Sequence, residues 1–331
     1  MPEFSFRDCL VTRDIPESKL YLKTSLKSDA NLVVILDDLL FVSALVSENE
    51  KPGIHPVILM NSMKNIIGDD RKNPSIALLE FAVEYMLGFE FRKNDQEQLN
   101  DSVADGVGLT AFIGDLEDAC QNGDWEKANA LAAHTFVASD YSRGVLDALV
   151  ELALQDTDRN VLFTFHLLRA FQFQGIKGDN WTYTKCLLDY LAGSTFPEPH
   201  DFCEQTPTDV KDKMIESGDL SLFSAVERLW FGDYVRIRGY NRELSHWCAK
   251  VFVAESDSID GNLDHWLVNG NYGGKFIELA ETIVENKKSK SEKVIELVIL
   301  ESIRALSKSA SKEQLAILGT RMDQLLNHEY R

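Results

Sequence analysis

The sequence predicts an all-α fold, a compact array of antiparallel helix pairs that resembles a bundle or a solenoid. Apolar residues recur at helical spacing from about residue 32 onward. From residue 110 to residue 192 the pattern indicates successive helices joined by short turns, which is typical of helix pairs. Strand signals are confined to one short alternating stretch, Leu20 to Thr24.

Polar residues that accept hydrogen bonds from free backbone N–H groups predict where the helices begin. In chain order, the predicted starts are Asn73-Pro74, Asp124, Ser139-Asp140, Asp158, Ser289 and Ser311. Ser289 with Glu292 matches the capping-box pattern. The helix from Asp158 to Phe173 is apolar on nearly every side, which predicts that neighbours cover all of its faces. Such a helix favours a compact globule over an open, one-layer superhelix.

Two polar stretches are candidate linkers. Residues 94–105 are acidic and polar, and residues 194–209 contain three prolines, which exclude a continuous helix. The second stretch predicts an N-terminal helical region, residues 1–195, and a C-terminal helical region, residues 196–331, each of ordinary domain size. One continuous domain is the alternative.

Composition and charge exclude several classes of function. Hydrophobic residues at 44% and charged residues at 26% are typical of a soluble globular protein. The net charge of −19 argues against nucleic acid or an anionic membrane as the partner. We identify neither a signal peptide nor an apolar run long enough to span a bilayer. The five cysteines include no Cys-x-x-Cys pair, so we predict neither disulfides nor a metal site, and a cytoplasmic location.

The histidines are the first candidates for chemistry, because their pKa lies near neutrality. His166 lies on the apolar helix, on one stripe with Phe163, Ala170 and Phe173. A buried histidine must find a hydrogen-bond partner or bear the cost of desolvation. It is therefore either an acid–base group in a hydrophobic pocket or, more commonly, a core histidine bonded to a carbonyl.

Aromatic residues are densest between Trp230 and Tyr272, where rings adjoin titratable donors. This combination suits a flat apolar ligand, although aromatic clusters more often form core. The predicted ligand-binding residues are Phe163, Trp230, Tyr240, His246, Trp247, His265 and Trp266.

Four arginines form a basic island in this acidic chain: Arg228, Arg236, Arg238 and Arg242. Guanidinium groups bind carboxylates and phosphates, so Arg236 and Arg238 are predicted to contact an anionic ligand. Pairing of the island with neighbouring acidic side chains is the alternative.

Two stretches resemble the bacterial and fungal questin-oxidase-like family. The first is His55-Pro56-Val57-Ile58-Leu59-Met60, and the second is Leu162 to Leu168, where aromatic residues precede His166. The resemblance covers about half the chain and implies an all-helical redox enzyme that uses NADPH on polyketide-like aromatic substrates. His55 and His166 are the matched positions, but the further histidines that the family carries near the first one are absent.

These observations lead to two hypotheses. The first is an oxidoreductase that acts on a hydrophobic or aromatic small molecule in a helix-lined pocket, with His166 and His55 as catalytic residues. The second is a non-catalytic, helical-repeat-like scaffold that binds another protein. A deep pocket that joins the two histidines would favour the enzyme. An exposed apolar groove without converging titratable groups would favour the scaffold.

Overall fold

The computed structural model describes residues 5–26, 29–47, 53–102, 104, 112–175, 177–255, 258–270, 272 and 274–327. Most of these residues are helical, which confirms the predicted all-α class. Strand-like pairing in the described ranges consists of a single antiparallel bridge between Val46 and Phe91. No helix in this part of the chain has the length and apolar character that a membrane crossing needs.

The helices of the first half are α1 (Phe6–Val11), α2 (Ile15–Ser25), α3 (Asp29–Ser43), α4 (Pro56–Ile67), α5 (Ile76–Met86), α6 (Asp95–Ser102), α7 (Ile113–Gln121), α8 (Trp125–Ala138) and α9 (Gly144–Ala153). The second half contains α10 (Thr157–Phe173), α11 (Asn180–Leu191), α12 (Pro207–Glu216), α13 (Leu220–Trp230), α14 (Ile237–Val253), α15 (Lys275–Glu285), α16 (Lys290–Leu306) and α17 (Lys312–Asn327). Short 3-10 helices lie at Gly68–Asp70, Leu154–Asp156, Lys177–Asp179 and Trp266–Asn269.

Three helices begin where their polar caps predict. Asp124 accepts a hydrogen bond from the Lys127 N–H at the start of α8. Both halves of the Ser289–Glu292 capping box are present at the start of α16. Ser311 precedes α17, where its Oγ accepts a hydrogen bond from a backbone N–H of the first turn. In each case the cap satisfies a donor that the helix itself leaves unpaired.

The strand predicted at Leu20 to Thr24 is wrong, because these residues lie inside α2. Asp14 caps that helix by accepting from the Glu17 N–H. Leu22 is fully buried whereas Leu20 is exposed, so the apparent alternation reflects the two sides of one amphipathic helix.

The helix start predicted at Asn73-Pro74 is displaced by two residues. Ser75 caps α5, and its Oγ accepts a hydrogen bond from the Leu78 N–H. The Asn73 side chain instead donates to Asp70, which holds the preceding turn together. Asn73 therefore stabilises the turn before the helix rather than the helix itself.

Two further starts also differ from prediction. Asp140 and Tyr141 have positive φ angles of 55° and 61°, so the chain leaves the helical region there and α9 begins only at Gly144. Asp158 lies in the first turn of α10, which begins at Thr157. The predicted linker at residues 94–105 contains α6 and is not irregular throughout.

The two predicted regions share one hydrophobic core. The segment of residues 193–206 joins α11 to α12 without forming a helix, as its prolines predict. His200 and Cys203 tie this segment to α14 through Glu243 and Ser245. Helix α4 of the first region contacts α16 of the second, and α10 contacts α13. A division at residue 195 stays a prediction.

Helices α4 and α10 lie at the centre of this core. Every residue of α4 except Asn65 is buried, since α3, α5, α10, α15 and α16 surround it. Helix α10 is buried on most of its surface, as its continuous apolar sequence predicts. These two helices also provide much of the site described below.

Candidate functional site

His166 is fully buried in α10. The Asn61 Nδ2 of α4 donates to its Nδ1 over 2.9 Å, and its Nε2 has no hydrogen-bond partner in the described part of the chain. Burial, together with a smaller contribution from the nearby Arg228 charge, lowers the pKa of His166 to about 3. The ring is therefore neutral at neutral pH, held by an amide rather than by a carbonyl.

His55 is also fully buried but lies in different surroundings. Its Nδ1 accepts from the Val57 N–H at the start of α4, and its Nε2 lies 4.0 Å from the Cys186 Sγ. Its ring packs edge to face on Phe163, with the ring centroids 4.8 Å apart. Burial lowers the pKa of His55 to about 3, and Arg92 adds to the shift. His55 and His166 contact different side chains, and neither a ring contact nor a hydrogen bond joins these two described residues.

The aromatic residues between 230 and 272 do not form one cluster. Tyr240 is fully buried and donates from its hydroxyl to the Asp147 carbonyl over 3.1 Å. The Trp247 Nε1 donates to Asp158 over 2.6 Å, which joins α14 to α10. Trp230 is half-buried at the end of α13. These contacts fix helices against one another.

His246 and His265 belong to two separate groups. The His246 ring stacks on His200, with 3.7 Å between the centroids, and His200 donates from Nδ1 to the buried Glu243 over 2.7 Å. His265 accepts from the Leu267 N–H at the start of a 3-10 helix.

Trp266 packs with rings close to it in sequence. Its centroid lies 6.0 Å from that of Tyr272 and 5.6 Å from that of Phe276. The Lys275 Nζ lies 4.8 Å from the centre of the Trp266 ring. These contacts pack the segment that precedes α15 against the first turn of that helix.

The basic island is mostly paired with acidic residues. Arg236 forms ion pairs with Glu117 and Glu151, and Arg242 forms ion pairs with Glu151 and Glu243. Arg238 is exposed on α14. Arg228 is separate from the other three, because it lines a different cavity, together with residues of α10 and α16.

This cavity, here called the central cavity, has a volume of about 730 Å³. Helices α3, α4, α10, α13 and α16 and the turns that follow α4 and α13 form its wall. Its aromatic lining residues are Phe165, Phe173, Phe231 and Tyr234. Its cationic lining residues are Lys64, Arg71, Arg169, Arg228, Arg304 and Lys308. Three carboxylates also line it: Glu227, Asp233 and Glu301.

Two of the six cations are neutralised by strong ion pairs. Arg228 donates to both oxygens of Glu301 over 2.8 and 3.0 Å, and Asn65 donates to the same carboxylate over 2.9 Å. Burial alone would raise the pKa of Glu301, but Arg228 holds it below its usual value. Arg304 pairs in the same bidentate manner with Asp69.

The other four cations have no carboxylate partner among the described residues. Arg71, Arg169 and Lys308 are exposed at the rim, and Arg169 donates to Gln172 over 2.8 Å.

Lys64 is only 8% exposed and lies deeper in the wall. The carboxylate Glu227 is engaged elsewhere, by Lys211 over 2.7 Å. The cavity therefore presents an excess of positive charge.

Cations and rings alternate along the cavity wall. The Arg228 Cζ lies 4.2 Å from the centre of the Phe165 ring, and the Lys64 Nζ lies 4.9 Å from that of Phe173. Phe165, Arg169 and Phe173 follow one another at intervals of four on α10, so they share a helix face. Charged and apolar surface thus meet within one open cavity.

None of the residues that the sequence singled out as catalytic or ligand-binding lines the central cavity. The sequence did contain one signal for it: Lys64 lies in a helix that is otherwise almost entirely apolar or uncharged. Arg228 was noticed only as part of the basic island. Its partner Glu301 lies 73 residues away, beyond the reach of any local pattern.

Comparisons of the chain with protein-family models, with curated proteins and with solved structures find no match. No group of three or more His, Cys, Asp or Glu side chains in the described ranges is arranged to hold a metal ion. The central cavity is therefore the feature of the molecule that bears on function.

Proposed function

We propose that the protein binds a small anionic molecule with a planar apolar part in the central cavity. The observation that carries this proposal is the lining: six cationic side chains against three carboxylates, on aromatic walls. The whole chain has a net charge of −19, so the cavity is positive against an acidic background. A low-dielectric cleft lined by one sign of charge concentrates ligands of the opposite sign.

The size and composition of the cavity agree with this class of ligand. Its volume of about 730 Å³ falls within the usual range for small-molecule sites. Arg169 and Arg71 at the rim are free of carboxylates and can bind a carboxylate or phosphate through two N–H groups. The half-buried Phe173 and the exposed Phe231 offer ring surface for a flat ligand.

The cavity also fits the cofactor of the oxidoreductase hypothesis, although neither His55 nor His166 lines it. NADPH combines phosphates with planar rings and therefore belongs to the proposed ligand class. The charges of Lys64, Arg228 and Glu301, which line the cavity, act on His166. The converging titratable groups favour a ligand site over the scaffold hypothesis, which calls for an apolar groove without them.

Binding of the dye anilinonaphthalene sulfonate tests the proposal, with N-phenylnaphthylamine as its uncharged counterpart. We expect the sulfonate to bind more tightly, because only the sulfonate group reaches the cations. Arg169→Gln should weaken sulfonate binding about tenfold, the effect of about 1.4 kcal/mol. The matched control is Arg238→Gln, which removes an exposed arginine outside the cavity and should leave binding unchanged.

Equal weakening by the two substitutions would overturn the proposal, as would equal affinity for the charged and the uncharged dye. Displacement of the dye by NADPH, measured in the same assay, would support the oxidoreductase hypothesis. Displacement by simple aromatic acids but not by NADPH would count against that hypothesis and favour a smaller ligand.

A further inference from the structure

We propose that Lys64 forms an imine with the carbonyl group of an aromatic oxo acid bound in the central cavity. This inference rests on the proposed function, since the acid must first bind there. It adds a covalent step and assigns that step to one nitrogen atom, the Lys64 Nζ.

The placement of Lys64 is the first observation that supports this step. Lys64 lies near the end of α4, and its side chain lines the cavity although the residue is only 8% exposed. Its Nζ lies 4.9 Å from the centre of the Phe173 ring. No carboxylate in the described part of the chain comes within ion-pairing distance of it. The amine therefore faces a ligand-sized space beside an aromatic ring.

Lys211, another buried lysine, differs from Lys64 because its amine has hydrogen-bond and ion-pair partners. Lys211 is similarly buried, at 9% exposure. Its Nζ donates to Glu227 over 2.7 Å, to the Ser309 hydroxyl over 2.8 Å and to the Ser309 carbonyl over 3.3 Å. Lys211 is thus fully engaged as a structural ion pair, whereas Lys64 has no such partners.

The electrostatic surroundings of Lys64 favour its nucleophilic form. Burial and, to a smaller extent, the neighbouring Arg169 and Arg228 charges lower its pKa to about 8, against the opposing effect of Glu301. A larger fraction of the amine is then neutral near neutral pH than for an exposed lysine. Arg169, which has no carboxylate partner among the described residues, can hold the acid group of the ligand, so one guanidinium both binds the ligand and helps to activate the amine.

The proposed step balances without an oxidant or a reductant. The lone pair of the neutral Nζ attacks the carbonyl carbon, and the carbon–oxygen π bond opens to a carbinolamine. The carbinolamine then loses water, which takes up the carbonyl oxygen and both amine hydrogens, and a carbon–nitrogen double bond remains. Water leaves through the cavity mouth. Protonation of the imine nitrogen restores a positive charge beside the Phe173 ring.

Reductive trapping tests this step. The full chain is incubated with phenylpyruvate and sodium cyanoborohydride, which reduces an imine to a stable secondary amine, and the modified lysine is located by peptide mass mapping. We expect modification at Lys64 to exceed that at the exposed Lys72 by at least about tenfold, because binding raises the local concentration of the oxo acid. The neutral ketone benzylacetone, which lacks the acid group, should show no such preference.

A second variant separates the imine from the binding on which it depends. Lys64→Arg retains the positive charge, so it should still bind anilinonaphthalene sulfonate while it loses the trapped adduct. If the wild-type chain binds the dye but modification at Lys64 does not exceed that at Lys72, the imine proposal is overturned and the proposed function stands. If neither dye nor phenylpyruvate binds, both proposals are overturned. The mapping on the wild-type chain needs no variant and is independent of how Lys64→Arg folds.

Discussion

At the scale of single residues, burial decides the charge state of the histidines. His55 and His166 each have a pKa of about 3, well below the usual value of 6.5, because the charged ring loses its hydration. In the unfolded chain each ring takes up a proton below about pH 6.5. The folded chain does not do so until about pH 3. Acid therefore favours the unfolded state through these two rings.

The contribution of His166 can be measured by substitution. Between pH 6.5 and pH 3 the unfolded chain holds one more proton at this residue, so the unfolding free energy falls by about 1.4 kcal/mol per pH unit as the pH is lowered. His166→Gln should remove this contribution to the pH dependence of the unfolding free energy, which urea unfolding at several pH values measures. His134→Gln, which changes a half-buried histidine on α8, serves as the control. An unchanged slope in His166→Gln would show that the ring is not held neutral.

Replacement by methionine should change the stability of the fold in opposite directions at Lys64 and at Lys211. With the pKa of Lys64 lowered from 10.5 to about 8, the folded state bears a cost for the charged amine at pH 7 of up to about 3 kcal/mol. Lys64→Met should therefore raise stability at pH 7. The gain should shrink as the pH rises from 8 to 10.5, where the unfolded chain loses the same proton.

Lys211→Met is the matched comparison, and it should destabilise the fold because it leaves Glu227 without its partner. Unfolding in urea at pH 7 and at pH 10 measures both variants. Destabilisation by Lys64→Met at pH 7 would contradict the unpaired placement of the amine.

At the scale of helices, one ion pair joins elements far apart in the chain. Arg228 of α13 and Glu301 of α16 form a bidentate pair, and Glu301 is almost fully buried. Arg228→Met should cost about 3–5 kcal/mol, because it leaves a buried carboxylate without its counterion. The double variant Arg228→Met/Glu301→Leu should recover most of that loss. If urea unfolding shows that the single and the double variant lose the same amount of stability, this account is contradicted.

The helices were predictable because they depend on local sequence. Hydrophobic periodicity and polar caps can be recognised from a few consecutive residues. Asp124 and Ser289 cap the starts of their helices as predicted. The errors also have local causes. Ser75 rather than Asn73 caps α5, and α2 resembles a strand because its buried stripe is narrow. Competition between neighbouring polar residues for the same N–H groups is hard to resolve from sequence alone.

The central cavity was not predictable in this way. Four of its six cations come from four different helices, and Arg71 and Lys308 come from turns. In the sequence, all of them except Lys64 look like ordinary exposed charges. Lys64, Arg169, Arg228 and Arg304 converge only because α4, α10, α13 and α16 meet in the core. Conversely, the dense aromatic stretch suggested one site, but the fold distributes its rings over several helix contacts. Tertiary arrangement, not local pattern, decides both outcomes.

At the scale of the whole molecule, the two predicted regions depend on each other. A fragment of residues 1–195 lacks α13 and α16, which cover α10 and α4. We expect this fragment to show no cooperative unfolding transition in urea, because large apolar faces of the two central helices would be in contact with water. The full chain is the control and should unfold in a single sharp transition. A sharp transition in the fragment would establish residue 195 as a true domain boundary.

The enclosure of α4 also has a consequence for how the protein is made. Its residues 56–67 leave the ribosome long before residues 290–306, which form part of their covering. At synthesis rates of about 5–20 residues per second, that wait is on the order of ten seconds to a minute. During this time α3, α5 and α10 can cover α4 only in part, and its remaining apolar surface stays exposed. A chaperone that holds unfolded chains would protect that segment until α16 is made, and we expect its presence to raise the yield of folded protein.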